Sequence, residues 1–121
     1  MHRAKFENKD KFEVWGTGTP LREFLFIDDL ASAIEFIIVN NVDPGLYNIG
    51  SNQEVTIKSL VENVKDVVNF PGEIVFDETK PDGNPRKLLD SSKFTNFGWK
   101  PAVDLTEGLK ITYDWFLENI A

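Results

Sequence analysis

Residues 12–39 read FEVWGTGTPLREFLFIDDLASAIEFIIV, and this stretch decides the fold. It holds two short runs of mostly apolar and aromatic residues, FEVW and FLFI, on either side of the turn-forming residues GTGTP. We therefore expect two strands joined by a hairpin-like connection. Behind them, Asp28 and Asp29 offer an N-cap and acidic charge, and apolar residues recur at helical spacing as far as Val39. This pattern predicts a helix.

The same mixture of elements continues to the end of the chain, with no internal repeat and no linker long enough to divide it. Turn residues and apolar periodicity separate the elements. In chain order we predict a strand at 46–50, a helix capped by Thr56, a strand at 73–76, a loop at 77–85, a short strand at 87–89, a short helix from Asp90 to Phe97, and a long helix that begins with the capping box of Asp104 and Glu107. The fold class is therefore mixed α/β, of the α+β kind, in one domain spanning 1–121.

The composition narrows the classes of function. Hydrophobic residues make up 41% of the 121 residues, which suffices for a core. We expect a soluble protein, because no apolar run approaches the roughly 20 residues that span a bilayer and the first residues lack a signal-peptide stretch. The absence of cysteine favours the cytoplasm. The net charge of −7 argues against binding to nucleic acid or to an anionic membrane.

The sequence offers no metal site, since it has no cysteine and its one histidine, His2, lies in a charged stretch where we expect it to be exposed. The larger aromatic residues of the second half sit within apolar patterns. We therefore expect Phe94, Phe97, Trp99 and Trp115 to be part of the core.

Two residues near the GTGTP segment are candidates for ligand binding. Trp15 offers a flat face for a base or a sugar, and Arg22 offers forked donors to phosphate oxygens. The glycines of the segment match neither a Walker loop nor a dinucleotide fingerprint. From local sequence alone, the favoured interpretation is a half-buried core tryptophan and a surface arginine paired with Glu23 or Asp28.

A second candidate block is KPDGNPRK at 80–87, where prolines restrict the backbone and hold charged residues in place. The carboxylate of Asp82 suits ribose hydroxyls or the N–H edge of guanine, whereas Arg86 and Lys87 suit a diphosphate. Lys80 would add to such a basic cluster. The alternative is a rigid surface turn with solvated charges.

Taken together, these blocks resemble the GDP-L-fucose synthases, within the extended short-chain dehydrogenases/reductases. The resemblance rests on VWGTGTPLREFL at 14–25, DDLA at 28–31, YNIG at 47–50 and KPDGNPRKLLD at 80–90, in family order, with further matches at 98–99 and 112–119. The REF and DD residues are widely shared in that superfamily, whereas the block at 80–90 is more specific.

The resemblance implies the small carboxy-terminal, substrate-binding domain of an enzyme that converts GDP-4-keto-6-deoxy-D-mannose to GDP-L-fucose with NADPH. It further implies that Trp15 and Arg22 contact the GDP-sugar, with Asp82, Lys87 and, less directly, Arg86 as further contacts. The glycine-rich NADP loop, the Ser and Tyr-x-x-x-Lys set, and the epimerising Cys and His of the family have no counterparts in this sequence. We therefore expect a truncated fragment without the Rossmann cofactor domain, unable to bind NADP or to catalyse the reaction by itself.

Two other interpretations stay open from the sequence. The chain could be the corresponding domain of another NAD(P)-dependent nucleotide-sugar epimerase or dehydratase, although the block at 80–87 argues against it. Alternatively, it could be an interaction module without ligand affinity. In either case, apolar surface left by an absent cofactor domain would promote self-association.

Overall fold

The computed structural model describes residues 1–120 and confirms a mixed α/β architecture built from short strands and helices. In chain order, the elements within that range are α1 His2–Phe6, β1 Lys11–Trp15, β2 Leu21–Glu23, α2 Ile27–Val39, β3 Glu54–Thr56, α3 Ile57–Val68, β4 Glu73–Asp77, β5 Arg86–Lys87, α4 Ser92–Thr95 and α5 Leu105–Asn119.

The strands form two separate sheets, so the expected hairpin-like connection between the first two strands is wrong. Strand β1 pairs with β4 in parallel, whereas β2 is the centre of a three-stranded sheet, antiparallel to β3 and parallel to β5. The residues at the two ends of the connection bond instead to the last residue of β4 and to the residue before β5. The Gly16 N–H donates to the Asp77 carbonyl at 2.9 Å, and the Leu21 N–H donates to the Pro85 carbonyl at 2.8 Å.

The second strand lies earlier than predicted, at Leu21–Glu23 rather than at 24–27. The prediction followed the apolar run, but β2 is defined by its bonded neighbours: β5 ends level with Arg22, and the pairing with β3 reaches only as far as Glu23. Helix α2 begins close to the predicted position, with acidic residues in its first turn.

The predicted capping role of the Asp28-Asp29 pair is wrong, because Phe26 occupies the N-cap and makes no side-chain cap. Asp29 is 4% exposed and instead accepts hydrogen bonds from the backbone N–H groups of Ala102, at 2.9 Å, and Val103, at 3.1 Å. This carboxylate therefore docks the segment before α5 onto α2.

The two helices predicted from caps are confirmed. The Thr56 hydroxyl oxygen accepts the Ser59 N–H at 3.0 Å at the start of α3, and the Asp104 carboxylate accepts the Glu107 N–H at 2.9 Å at the start of α5. Strand β4 also matches its prediction. Strand β5 and helix α4 are shorter than predicted, covering two and four residues.

The predicted strand at 46–50 is wrong, since this segment is irregular in the structure. No strand within residues 1–120 pairs with this segment. Tyr47 and Ile49 pack against the core, and the Asn48 side chain donates to the Asp90 carbonyl at 3.1 Å. Side-chain contacts therefore hold this segment in place without pairing to a strand within residues 1–120.

The core consists of two apolar clusters. The first contains Ala4, Val68 and Phe70, and the second contains Ala33, Phe94 and Trp99. The core positions predicted for Phe94 and Trp99 are thus confirmed.

Three aromatic residues depart from expectation. Trp115 and Phe97 are 56% and 45% exposed, so their predicted burial is wrong. His2 is half-buried, contacts Phe6 and Phe116, and has Nδ1 3.0 Å from the Tyr113 hydroxyl, so its predicted exposure is also wrong. Periodicity identifies an apolar face but does not say how fully it is covered.

Among residues 1–120, no helix is long and apolar enough to cross a membrane.

Candidate functional site

Two connecting segments, residues 16–20 and 78–85, run side by side in the same direction because both strand pairs that they join, β1 with β4 and β2 with β5, are parallel. We call them the paired loops. Asp82 connects them at mid-length: it accepts the Thr17 backbone N–H at 2.6 Å through one carboxylate oxygen and the Thr17 hydroxyl at 2.7 Å through the other. The paired loops thus lead from Trp15 at one end to Arg22 at the other.

The glycines of the first loop allow close packing. Gly16 has a φ of 86°, and a Cβ at this position would collide with the Asp82 carboxylate. Gly18 has a φ of 76°, and a Cβ there would lie 2.5 Å from the Phe76 ring. Both glycines therefore meet a steric and a conformational requirement.

This packing does not fit a cradle for the pyrophosphate of a dinucleotide. Such a cradle needs glycine backbone N–H groups that point at the ligand and an open approach to the backbone. Here the Gly16 N–H donates to Asp77, and the space beside both glycines is filled by protein atoms. The surroundings of the two glycines therefore differ from those of such a cradle.

Trp15 ends strand β1 with its ring largely in solvent, at 68% exposure. Its indole N–H donates to Glu13 Oε1 at 3.2 Å, and the Lys80 ammonium lies 5.8 Å from its ring centroid. An indole held at its polar edge presents its face to a planar or cationic group. The exposed position differs from the simpler expectation of a core tryptophan.

Arg22 and Lys87 are register partners on the adjacent strands β2 and β5. Partners in register project from the same face of a sheet, so the two cationic side chains share one face. Arg22 is half-buried and donates through Nη1 to the Leu21 carbonyl at 2.6 Å, whereas Lys87 is exposed and has no ion pair within residues 1–120. Two neighbouring cations that form no ion pair with a carboxylate of the described residues suit an anionic group such as a diphosphate.

Arg86 projects from the opposite face, because successive residues of a strand alternate. Its guanidinium forms a fork with Glu54, in which Nε donates to both carboxylate oxygens at 2.8 and 3.0 Å and Nη2 donates to one of them at 2.6 Å. Hydrogen bonding to Arg86 lowers the pKa of Glu54, and the same bond raises the pKa of Arg86. Arg86 therefore bridges β5 and β3 across the three-stranded sheet.

The structure thus divides the predicted site residues into three groups. Trp15 and Lys80 lie together near the start of the paired loops with Asp82 farther along them, Arg22 and Lys87 share a sheet face near the end of the loops, and Arg86 lies on the other face. Sequence reasoning missed Thr17 and Glu54, whose partners lie 65 and 32 positions away along the chain. No local signal could have revealed these contacts.

No group of three or more metal-ligating side chains occurs in the part of the chain that the structure describes. The groups that the paired loops offer to a ligand are therefore an aromatic face, cationic side chains and backbone groups.

Comparisons with known proteins find a family match, curated relatives and similar solved structures. Residues 1–50 match the NAD dependent epimerase/dehydratase family. The chain is 54% identical over 120 residues to the putative GDP-L-fucose synthase 2 of Arabidopsis thaliana, with 99% of this chain and 37% of that protein covered. It is 42% identical over 128 residues to the GDP-L-fucose synthase of Escherichia coli K12, with 98% of this chain and 40% of that protein covered.

A solved structure carries the same likeness in three dimensions. The GDP-L-fucose synthetase from Naegleria fowleri bound to NADP superposes with a TM-score of 0.81 at 30% identity, with 98% of this chain and 37% of that one covered. The chain therefore spans well under half the length of the relatives that it matches. In sequence and in fold, the chain is therefore similar to part of the GDP-L-fucose synthases, and its first 50 residues match the NAD dependent epimerase/dehydratase family.

Proposed function

We propose that this chain is the GDP-sugar-binding part of a GDP-L-fucose synthase. In this proposal, Arg22 and Lys87 bind the diphosphate and Trp15 packs on the ligand. The longer protein to which the chain corresponds would convert GDP-4-keto-6-deoxy-D-mannose to GDP-L-fucose with NADPH. The cytoplasmic setting that the cysteine-free sequence favours belongs to the same proposal.

The observation that carries the proposal is the shared sheet face of Arg22 and Lys87. A diphosphate needs two or more donors that converge on it, and two strands bonded in register hold two cations at a fixed spacing. The chain as a whole has a net charge of −7, so this pair stands out as a local positive feature on an acidic protein.

Asp82 and Arg86 stay predicted ligand contacts, but we give them second place. Asp82 already accepts two hydrogen bonds from Thr17, and Arg86 is engaged by Glu54. Each carboxylate oxygen of Asp82 has a further lone pair, so contact with a ribose or with guanine remains chemically open.

The cofactor belongs, in this proposal, to the part of the protein that the chain does not span. We propose NADP for the intact enzyme, supported by the NADP-bound relative, and no cofactor for this chain, supported by the packed surroundings of Gly16 and Gly18. The chain by itself is accordingly proposed to be inactive, as one domain covering residues 1–121.

Calorimetric titration of the chain with GDP, GDP-mannose and UDP-glucose at low salt tests the proposal. Saturable binding of the guanine ligands, with none of UDP-glucose, is the expected result. Equal binding of all three would favour a different nucleotide-sugar enzyme. No binding by any of them would leave the interaction module as the better account.

A second proposal concerns surface contacts. Ile27, Ala31, Ile34 and Ile38 follow the spacing of one helical stripe on α2, and all four are exposed, the isoleucines by 53 to 70%. We call them the α2 stripe. A contiguous apolar stripe of this kind is uncommon on a monomer, so we propose that the chain, taken alone, self-associates through it.

A further inference from the structure

We propose that Glu23 is a positioning residue, whose carboxylate holds the segment after β5, and through it Lys87, beside Arg22. The inference rests on the proposed GDP-sugar site, because it assigns a role to a residue that acts through one of the contacts in that site.

Glu23 is the last residue of β2 and is half-buried. One oxygen of its carboxylate accepts the Asn52 backbone N–H at 2.6 Å, and the other accepts the Leu89 backbone N–H at 3.3 Å. Leu89 follows Lys87 by two residues. Because side chains alternate along β2, the Glu23 carboxylate lies on the face opposite Arg22, and it therefore holds the chain from behind the cationic pair.

The surroundings of Glu23 are built for a carboxylate. A Cβ at Gly50 would lie 2.5 Å from one Glu23 carboxylate oxygen and 2.9 Å from the other, so a larger residue at this buried position would displace the carboxylate. Asn52, which binds Glu23, has a φ of 58°, and its side-chain oxygen accepts the Ser91 hydroxyl at 2.5 Å. Ser91 is 1% exposed, so the series of hydrogen bonds from Glu23 through Asn52 to Ser91 ends in the protein interior.

The same bonds organise an open cleft. This cleft has a volume of about 590 Å³, and its lining includes Asn52, Leu89 and Asp90. Glu23 binds the backbone of the first two. The carboxylate consequently fixes two walls of the cleft relative to β2.

Lys87 depends on such support because β5 contains only two residues and Lys87 is the last of them. So short a strand has few ladder hydrogen bonds to fix its register. Before it, the Leu21 N–H donates to the Pro85 carbonyl, and after it the Leu89 N–H donates to Glu23. Removal of the Glu23 carboxylate releases the second of these anchors, and the Lys87 side chain then loses its fixed spacing from Arg22.

A double-mutant cycle tests this inference. Calorimetry with GDP compares wild type, Glu23→Ala, Lys87→Ala and the double variant at a temperature where far-UV circular dichroism shows all four folded. We expect Glu23→Ala to weaken GDP binding by about fivefold or more, and the double variant to bind no more weakly than Lys87→Ala alone, as for residues that act through one contact. Glu73→Ala, an exposed carboxylate on β4, serves as the control and should bind like wild type.

The outcomes separate this inference from the function on which it rests. Absence of GDP binding by wild type, or no effect of Lys87→Ala, overturns the proposed site and the inference with it. A weakened Lys87→Ala together with an unchanged Glu23→Ala, or with effects that simply multiply, overturns the inference alone. If Glu23→Ala does not fold, Glu23→Gln replaces it. That variant keeps one acceptor but turns an NH₂ group toward the other backbone N–H, so intermediate weakening is expected.

Discussion

The carboxylate of Asp82 accepts both the backbone N–H and the hydroxyl of Thr17, at 2.6 and 2.7 Å, across 65 positions of sequence. This pair of bonds joins the paired loops between the two sheets. Any ligand that spans from Trp15 to Arg22 would contact a surface whose shape depends on these two hydrogen bonds.

The first prediction concerns this link. Thr17→Ala should lower the free energy of unfolding by about 1 kcal/mol, because it removes the hydroxyl bond to Asp82 and keeps the backbone N–H bond. Asp82→Ala removes both bonds and should cost more, and the double variant should cost little more than Asp82→Ala alone, since the bond of the Thr17 hydroxyl to Asp82 is already lost there. Urea unfolding of the four proteins measures this, and fully additive losses would show that the two residues act separately.

The second prediction concerns Arg22 in GDP binding. Arg22→Ala should weaken binding by roughly 1.5 to 3 kcal/mol, the usual contribution of a hydrogen bond to a charged group. Calorimetry measures the change, with Arg3→Ala as a control because the Arg3 side chain is 88% exposed on α1. An unchanged affinity for Arg22→Ala would remove this residue from the site.

The third prediction concerns pH and the Arg86–Glu54 fork. The pKa of Glu54 is lowered from its ordinary value of 4.5, chiefly by the hydrogen bond from Arg86. A carboxyl group whose pKa is lowered by folding stabilises the fold above its unfolded pKa, and this contribution is lost as the pH falls through the folded pKa.

Arg86→Ala should therefore raise the pKa of Glu54 toward 4.5 and make stability less dependent on pH below that value. NMR titration of the Glu54 carboxyl carbon measures the pKa directly. If Glu54 titrates at the same pH in both proteins, the fork does not persist in solution.

The fourth prediction compares two neighbouring aspartates. Asp29→Ala should destabilise the chain by about 1–3 kcal/mol for each of the two backbone N–H groups that it leaves without a partner, to the extent that water cannot replace the carboxylate. Asp28→Ala, at an exposed position of the same helical turn, should change the stability by no more than about 0.5 kcal/mol. Thermal unfolding of the two variants checks the contrast, and equal losses would contradict the docking role of Asp29.

The fifth prediction concerns the α2 stripe. Ile34→Lys should shift the chain toward monomer, because a charge in the middle of the stripe opposes its burial against a second copy. Sedimentation velocity over a range of concentrations measures the effect, with Leu46→Lys as a control at a residue that is 88% exposed and lies outside the stripe. A chain that is already monomeric before substitution would refute self-association.

Local signals explain which parts of the fold could be predicted from sequence. The caps at Thr56 and Asp104 act within three residues, and the helices that they begin were located well. The segment at 46–50 has a strand-like pattern, yet whether a strand forms depends on a partner that the pattern cannot supply. Asp29 looked like a cap because its true partners lie more than 70 positions away.

The candidate site follows the same division. Trp15, Arg22 and Lys87 were chosen for their chemistry, and the pairing of β2 with β5 then placed two of them on one face. Arg86 faces the opposite side because side chains alternate along β5. The expected strand at 87–89 did not include Arg86, so this orientation was not predicted. Glu23 was considered only as a surface partner for Arg22, since nothing near it in sequence reveals the amides of Asn52 and Leu89.

The parallel course of the paired loops limits how this protein can change length. An insertion of one residue between Trp15 and Leu21 would lengthen one loop and not the other, because the second loop is joined to β4 and β5 independently. If β2 absorbed the extra residue by a shift of register, its side chains would exchange faces and Arg22 would turn away from Lys87. Insertions and deletions in the first loop should therefore abolish anion binding even where every charged residue is retained.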